Sequence, residues 1–248
     1  MGAVSCLHTY RMLHIHSYIQ VKRRTRPPQR ELPFRTWGGQ RDGAGRKRMS
    51  PRGRVPHRAR PAHNERHPVH VTLRAAPRIP SLRKQRVFQA LRRALSRTAR
   101  SWFRVLQFSV QSDHVHLLVE ASDNVSLSRG VVGLCVRLAR AVNRVVVRRG
   151  SVWGDRYHAR PLPTPREVRH AIVYVIMNWY KHVPGASGLD PCSSGSMFDG
   201  WKTPPASGPP RVATPAEVPI RPAETWLART GWKRHGLVDL RERPKGAL

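Results

Sequence analysis

Only between His67 and His182 do apolar side chains recur with the period of a strand or a helix, and this stretch decides what the chain can fold into. Val69, Val71 and Leu73 alternate with His70, Thr72 and Arg74, a period-two strand that Pro77 and Pro80 close. Ser81 reads as the N-cap of a helix running to about Thr98, with Val87, Phe88, Leu91, Ala94 and Leu95 on one face. Phe103 to Val110 and His114 to Ala121 read as two strands joined by a short turn. Asp123-Asn124 then break the chain. A long helix follows from about Ser126 to Arg149, with its apolar stripe at helical spacing and Arg137, Arg140, Arg144 and Arg148 opposite. Val152 to Leu162 reads as a fourth strand. Thr164-Pro165-Arg166-Glu167 is a capping box with proline at the first helical position. It predicts a last helix to about His182. The order β-α-β-β-α-β-α is α+β: a ferredoxin-like split βαβ, a four-stranded antiparallel sheet with two helices, plus one C-terminal helix.

The flanks have another character. Residues 1–66 hold 16 Lys/Arg, 3 Asp/Glu and 6 Pro, a composition that predicts a disordered basic tail. Within it, the Gly/Arg run from Arg35 to Lys47 suits a nucleic-acid backbone. Residues 67–183 form the expected domain. Residues 184–248, with ten prolines, predict a partly ordered tail in which Trp201, Trp226 and Trp232 dock on the core or a partner and Glu224 to Leu237 form a short helix.

Charge sets the partner. Against 46 Lys+Arg stand 14 Asp+Glu, a formal +32, which points to a polyanion and first to nucleic acid. A membrane surface is the weaker alternative, since no basic helix shows an apolar face with aromatic anchors. No apolar run is long enough to span a bilayer. Leu13 to Val21 is too interrupted for a secretory signal. The three cysteines are scattered and form no CxxC pair, so neither a disulfide framework nor a thiolate zinc site is indicated. The expected setting is cytoplasmic and nucleoid-associated.

Within the domain, His114-Val115-His116 places two imidazoles on one face of a strand, Cα atoms about 6.5–7 Å apart. With 13 histidines in the chain, the pair alone is an even bet between ligands and chance. Downstream, Tyr174 and Asn178 stand at i and i+4, which on a continuous helix means one face. Two imidazoles and an amide oxygen can hold a divalent ion with positions left for phosphate oxygen, a Lewis-acid arrangement for phosphoryl transfer. A tyrosine beside it can act as nucleophile. Tyr180 and Tyr157 are rival nucleophiles, and His170 reads as a surface residue.

Three strings, Asp113-His-Val-His-Leu-Leu-Val119, Gly150-Ser-Val-Trp-Gly-Asp-Arg-Tyr-His158 and Tyr174-Val-Ile-Met-Asn178, resemble in order and spacing the single-tyrosine transposases of the HUH superfamily. The likeness is greatest to the REP-associated tyrosine transposases and the IS200-like family, and it covers about residues 67–182. The resemblance implies that His114, His116 and Asn178 bind Mg²⁺ or Mn²⁺. It implies that Tyr174 attacks single-stranded DNA to give a 5′-phosphotyrosine and a free 3′-OH. It also implies a homodimer acting near DNA hairpins, with Arg137, Arg140, Arg144, Arg156 and Lys181 against the DNA backbone. Ser112-Asp113 replace the Pro-Asn of many relatives. Trp179 replaces a proline, a change expected to let the last helix run on to His182. The alternatives are an inactive or domesticated hairpin-binding protein, for DNA or RNA, and a metal-dependent nuclease that uses water.

Overall fold

Four short strands with opposite faces both apolar need a layer of helices on each side, and that is what forms. The computed structural model describes residues 62–98, 100–183, 185–205 and 218–244. The strands are β1 (Val69–Arg74), β2 (Phe103–Val110), β3 (His114–Ala121) and β4 (His158–Pro161). They build one sheet in the order β2-β3-β1-β4 with every pair antiparallel, the split βαβ arrangement. The expected tail over 1–66, with its Gly/Arg run, lies outside the described residues except for 62–66.

Helices α1 (Gln85–Ser96) and α2 (Asn124–Val146) cover one face. Their apolar stripes meet Val69, Val71, Leu73, Val115, Leu117 and Val119, the odd-numbered residues of β1 and β3. Helix α3 (Pro165–Ile176) covers the other face, on Leu106 and Leu118. A register shift between Val105 and Gln107 inserts Leu106 into β2. That bulge lets both Val105 and Leu106 be buried, one in each layer.

Several boundaries differ from the sequence reading: α2 runs Asn124–Val146 instead of about Ser126 to Arg149, stopped by Val147 in the left-handed region. Helix α1 starts at Gln85, not at Ser81, because the Ser81 carbonyl accepts from Lys84 N–H and closes a separate turn first. The fourth strand is only four residues long. Before it the chain crosses the end of β1 through Gly154, where a Cβ would lie 3.2 Å from Ala76 Cα, and touches the sheet as a lone Ala75–Trp153 bridge. The last helix does carry the expected cap, with Glu167 N–H donating to Thr164 Oγ1 and Pro165 opening the helix. It ends at Ile176, however, and Asn178–Lys181 wind as a 3-10 turn.

The tail is part of the second layer. Phe198, Trp201, Leu227, Trp232 and Val238 pack with α3 and Leu118 in one cluster. Residues Trp226–Arg229 form a short helix, α4, and Gly231–His235 a 3-10 turn, where the sequence reading expected one short helix. Asp190, 2% exposed, accepts both arms of the Arg83 guanidinium at 2.7 and 2.9 Å and pins the tail to α1's approach. The tail also covers β2, the outer strand: Val110 N–H donates to Cys192 O, Phe108 N–H to Ser194 Oγ and Arg221 N–H to Val105 O. An open edge would otherwise offer unpaired backbone groups to another chain. No helix among the described residues is long and apolar enough to cross a membrane.

Candidate functional site

Strand parity places the histidines. Because odd residues of β3 enter the α1/α2 core, His114 and His116 must face α3. The same parity turns His70 and Thr72 of β1 to that face, and the register sets Thr72 opposite His116. The ring centroids of His114 and His116 lie 4.7 Å apart. Both rings are buried, at 6% and 4% exposure. From the helix side Tyr174 meets His116 edge-on at 5.1 Å and His70 at 5.6 Å.

The hydrogen bonds assign the free nitrogens. His114 Nδ1 is 2.6 Å from Asp113 Oδ1. An ionised carboxylate only accepts, so Nδ1 carries the proton and Nε2 keeps its lone pair. Burial holds His114 below its usual value against the upward pull of Asp113. For Asp113, burial acts upward, but the His114 hydrogen bond and the neighbouring charges outweigh it and hold the carboxyl low. His116 Nδ1 lies 3.1 Å from Thr72 Oγ1 and 3.2 Å from His70 Nε2, while its Nε2 is buried with no partner. With the proton on Nδ1, that Nε2 is an unused lone pair. Burial, followed by the neighbouring His70 and His114, holds His116 well below its usual value, so it stays neutral. With His116 in that tautomer, two neutral imidazoles would turn their Nε2 lone pairs to one ion, the donor set a divalent ion takes.

Asn178 differs from its expected placement. A continuous helix would put it on the face of Tyr174, one turn on. The helix stops first, with Met177 at φ −107° and ψ 10°, and the tighter 3-10 winding carries Asn178 inward to 0% exposure. Both of its amide atoms are buried without partners. Such an amide is costly unless something meets it, so it too is an unused donor set. Among the described residues no three His, Cys, Asp or Glu side chains are grouped to hold a metal ion.

Tyr174 is half-buried, and burial raises its phenol above the usual value. Lys181 Nζ sits over its ring, 4.5 Å from the centroid. The rival tyrosines are engaged elsewhere. Tyr180 O–H donates to Gly188 O at 2.8 Å and its ring lies under Arg243. Tyr157 belongs to the core cluster on the other face.

The basic residues separate. Lys181 joins the site, and Arg156 is exposed in the loop before β4. Arg137, Arg140 and Arg144 do not approach the site. They line a cleft of about 250 Å³ between α1 and α2 with Arg93 and Arg97, behind the sheet. The sequence reading missed His70, Thr72 and His182, whose ring lies 5.1 Å from that of His114. For His70 and Thr72 a signal existed, since alternation with Val69, Val71 and Leu73 excludes them from the α1/α2 core. For His182 there was none.

Burial holds His70 at about 4, with the charges of His158 and Arg160 adding to the effect. Unfolded, the ring protonates near 6.5. Between these values the unfolded chain binds a proton that the folded chain refuses, so stability falls as pH drops through 6.5 and levels off below 4. By pH 5 this group alone removes about 2 kcal/mol. The expected result, in chelator, is a melting temperature several degrees lower at pH 5 than at pH 7, with a smaller drop in His70→Asn.

Residues 64–175 match the model of the family described as transposase IS200 like. A comparison with curated proteins finds no match. Among solved structures, a REP-associated tyrosine transposase bound to a REP hairpin is similar at 16% identity, over 57% of this chain and 84% of that one, with a TM-score of 0.47. The family match takes in the histidine strand, its β1 neighbours and the helix of Tyr174. Over residues 64–175, this chain is thus similar to the IS200-like transposase family.

Proposed function

We propose that the chain cuts and rejoins single-stranded DNA through Tyr174, with Mg²⁺ or Mn²⁺ held by His114, His116 and Asn178. The observation that carries this reading is the packing of Tyr174 against His116, whose buried Nε2 has no protein partner. A bound ion would supply Lewis-acid polarisation of the phosphate. The chain's own residues do the rest. Asp113 fixes the His114 tautomer, and Thr72 and His70 hold the His116 ring through its Nδ1. Lys181 favours the phenolate, whose formation burial opposes. Tyr174 Oη loses its proton and bonds to phosphorus. The bond from phosphorus to the 3′ oxygen breaks, and that oxygen takes up a proton. A 5′-phosphotyrosine and a 3′-OH result. A second 3′-OH reverses the exchange without ATP, because the phosphodiester's energy is kept in the link.

The DNA's phosphates have a surface of their own. The five guanidiniums between α1 and α2 meet no carboxylate in their cleft, an arrangement suited to a nucleic-acid backbone.

The test is incubation of the full chain with labelled single-stranded oligonucleotides from the DNA flanking its gene, with Mn²⁺, followed by a denaturing gel. A label that migrates with the protein is expected. Cut product without protein attached means that water makes the attack. Binding with no cut on any substrate means a non-catalytic hairpin binder.

A further inference from the structure

At the end of the sheet away from His114 lies a cavity of about 560 Å³, walled by Trp102 and Trp226. Both indoles are open to solvent, at 37% and 50% exposure, although the domain buries Trp201 and Trp232 almost completely. The second wall is anchored from the sheet. Glu120, 4% exposed, accepts from Glu224 N–H, Thr225 N–H and Thr225 Oγ1–H at 2.7–3.0 Å. Arg104 pairs with both Glu224 and Glu120. A strand carboxylate thus fixes the tail that carries Trp226, and Arg234 covers that ring at 4.8 Å. Nothing in the histidine site uses these residues.

We infer that this cavity binds an unpaired nucleobase of the single strand on which Tyr174 acts, a reading that rests on the proposed function. Its chemistry favours a base over a phosphate. Aromatic walls offer stacking, which every base accepts. Acidic and basic groups are balanced here, Glu120 and Glu224 being satisfied by Arg104 and by backbone N–H groups, so the cavity lacks the excess positive charge a phosphate needs. Glu65, exposed at the mouth, can accept from an exocyclic amine, and Arg66 beside it can meet the adjoining phosphate. Ala121, at the cavity, is five residues along β3 from His116, or about 17 Å at strand rise. One strand can occupy both places. The cavity therefore selects unpaired DNA and sets the register of the cut relative to the bound base.

The test uses the full chain with a fluorescent single-stranded oligonucleotide and with the same sequence as a duplex. Trp102→Ala should weaken single-strand binding about tenfold and leave duplex binding within about twofold. Trp102→Phe should restore most of it. A 2-aminopurine in the strand should be quenched by the unmodified protein and not by Trp102→Ala. Trp226→Ala should act in the same direction, and where it loosens the tail, seen in a melting curve, Trp102→Ala alone decides. Equal single-strand affinity in Trp102→Ala overturns the site. The adduct gel on the same samples separates the two readings. An adduct with unaltered Trp102→Ala binding removes only the base site. Weakened binding with no adduct from the unmodified protein removes only the transfer chemistry.

Discussion

Tyr174→Phe is expected to eliminate the covalent protein–DNA species and to lower cleavage by about 10³-fold or more, with DNA affinity unchanged within about twofold. Phenylalanine keeps the ring, and with it the edge contacts to His116 and His70 and the cover of Lys181. Only Oη is lost, so a fold defect cannot mimic the result. The measurement is the denaturing gel with Mn²⁺, beside a binding titration. Cleavage that persists with an adduct would move the attack to another tyrosine. Tyr180 would first have to break its hydrogen bond to Gly188 and leave Arg243. Cleavage without an adduct would assign it to water.

Trp232→Ala should be among the most damaging single changes outside the site, costing about 3–5 kcal/mol. Trp232 is 2% exposed, lies 5.6 Å from the Phe198 ring and fills the space over Gly200, where even a Cβ would sit 2.4 Å from the indole. For a domain of this size the melting temperature should fall by about 10 °C. Because the indole shares a cluster with Ile172, Val173 and Ile176 of α3, its removal also loosens the helix that carries Tyr174. Activity at a permissive temperature should fall more than DNA binding. A melting temperature within about 2 °C of the unmodified protein would show that the tail is dispensable to the second core layer.

Much of this was legible in the residues. Alternating Val69, Val71 and Leu73, the alternation through β3 and the Thr164 capping box are local patterns, and local steric and hydrogen-bonding preferences turn them into elements with little outside help. Helix α3's end was not legible, because nothing in Met177-Asn178-Trp179-Tyr180 is a strong breaker. The backbone tightens there, and Asn178 is enclosed by its surroundings. The same limit applies to Asp113. In the sequence it stands out only as a departure from the Pro-Asn of many relatives. Its place beside His114 Nδ1 makes it the group that sets that ring's tautomer.

By itself the sequence determined the strand and helix order, the face on which His114 and His116 must lie, and a net charge of +32. These depend on periodicity and composition, which are properties of neighbours along the chain. The tertiary structure alone decided that His182 joins that histidine pair, that Arg137, Arg140 and Arg144 stand behind the sheet with α1's arginines, and that the proline-rich tail completes the α3 layer. Each of these is a contact between segments distant in sequence. Burial and hydrogen-bond satisfaction across the whole domain select such contacts, and no local pattern carries them.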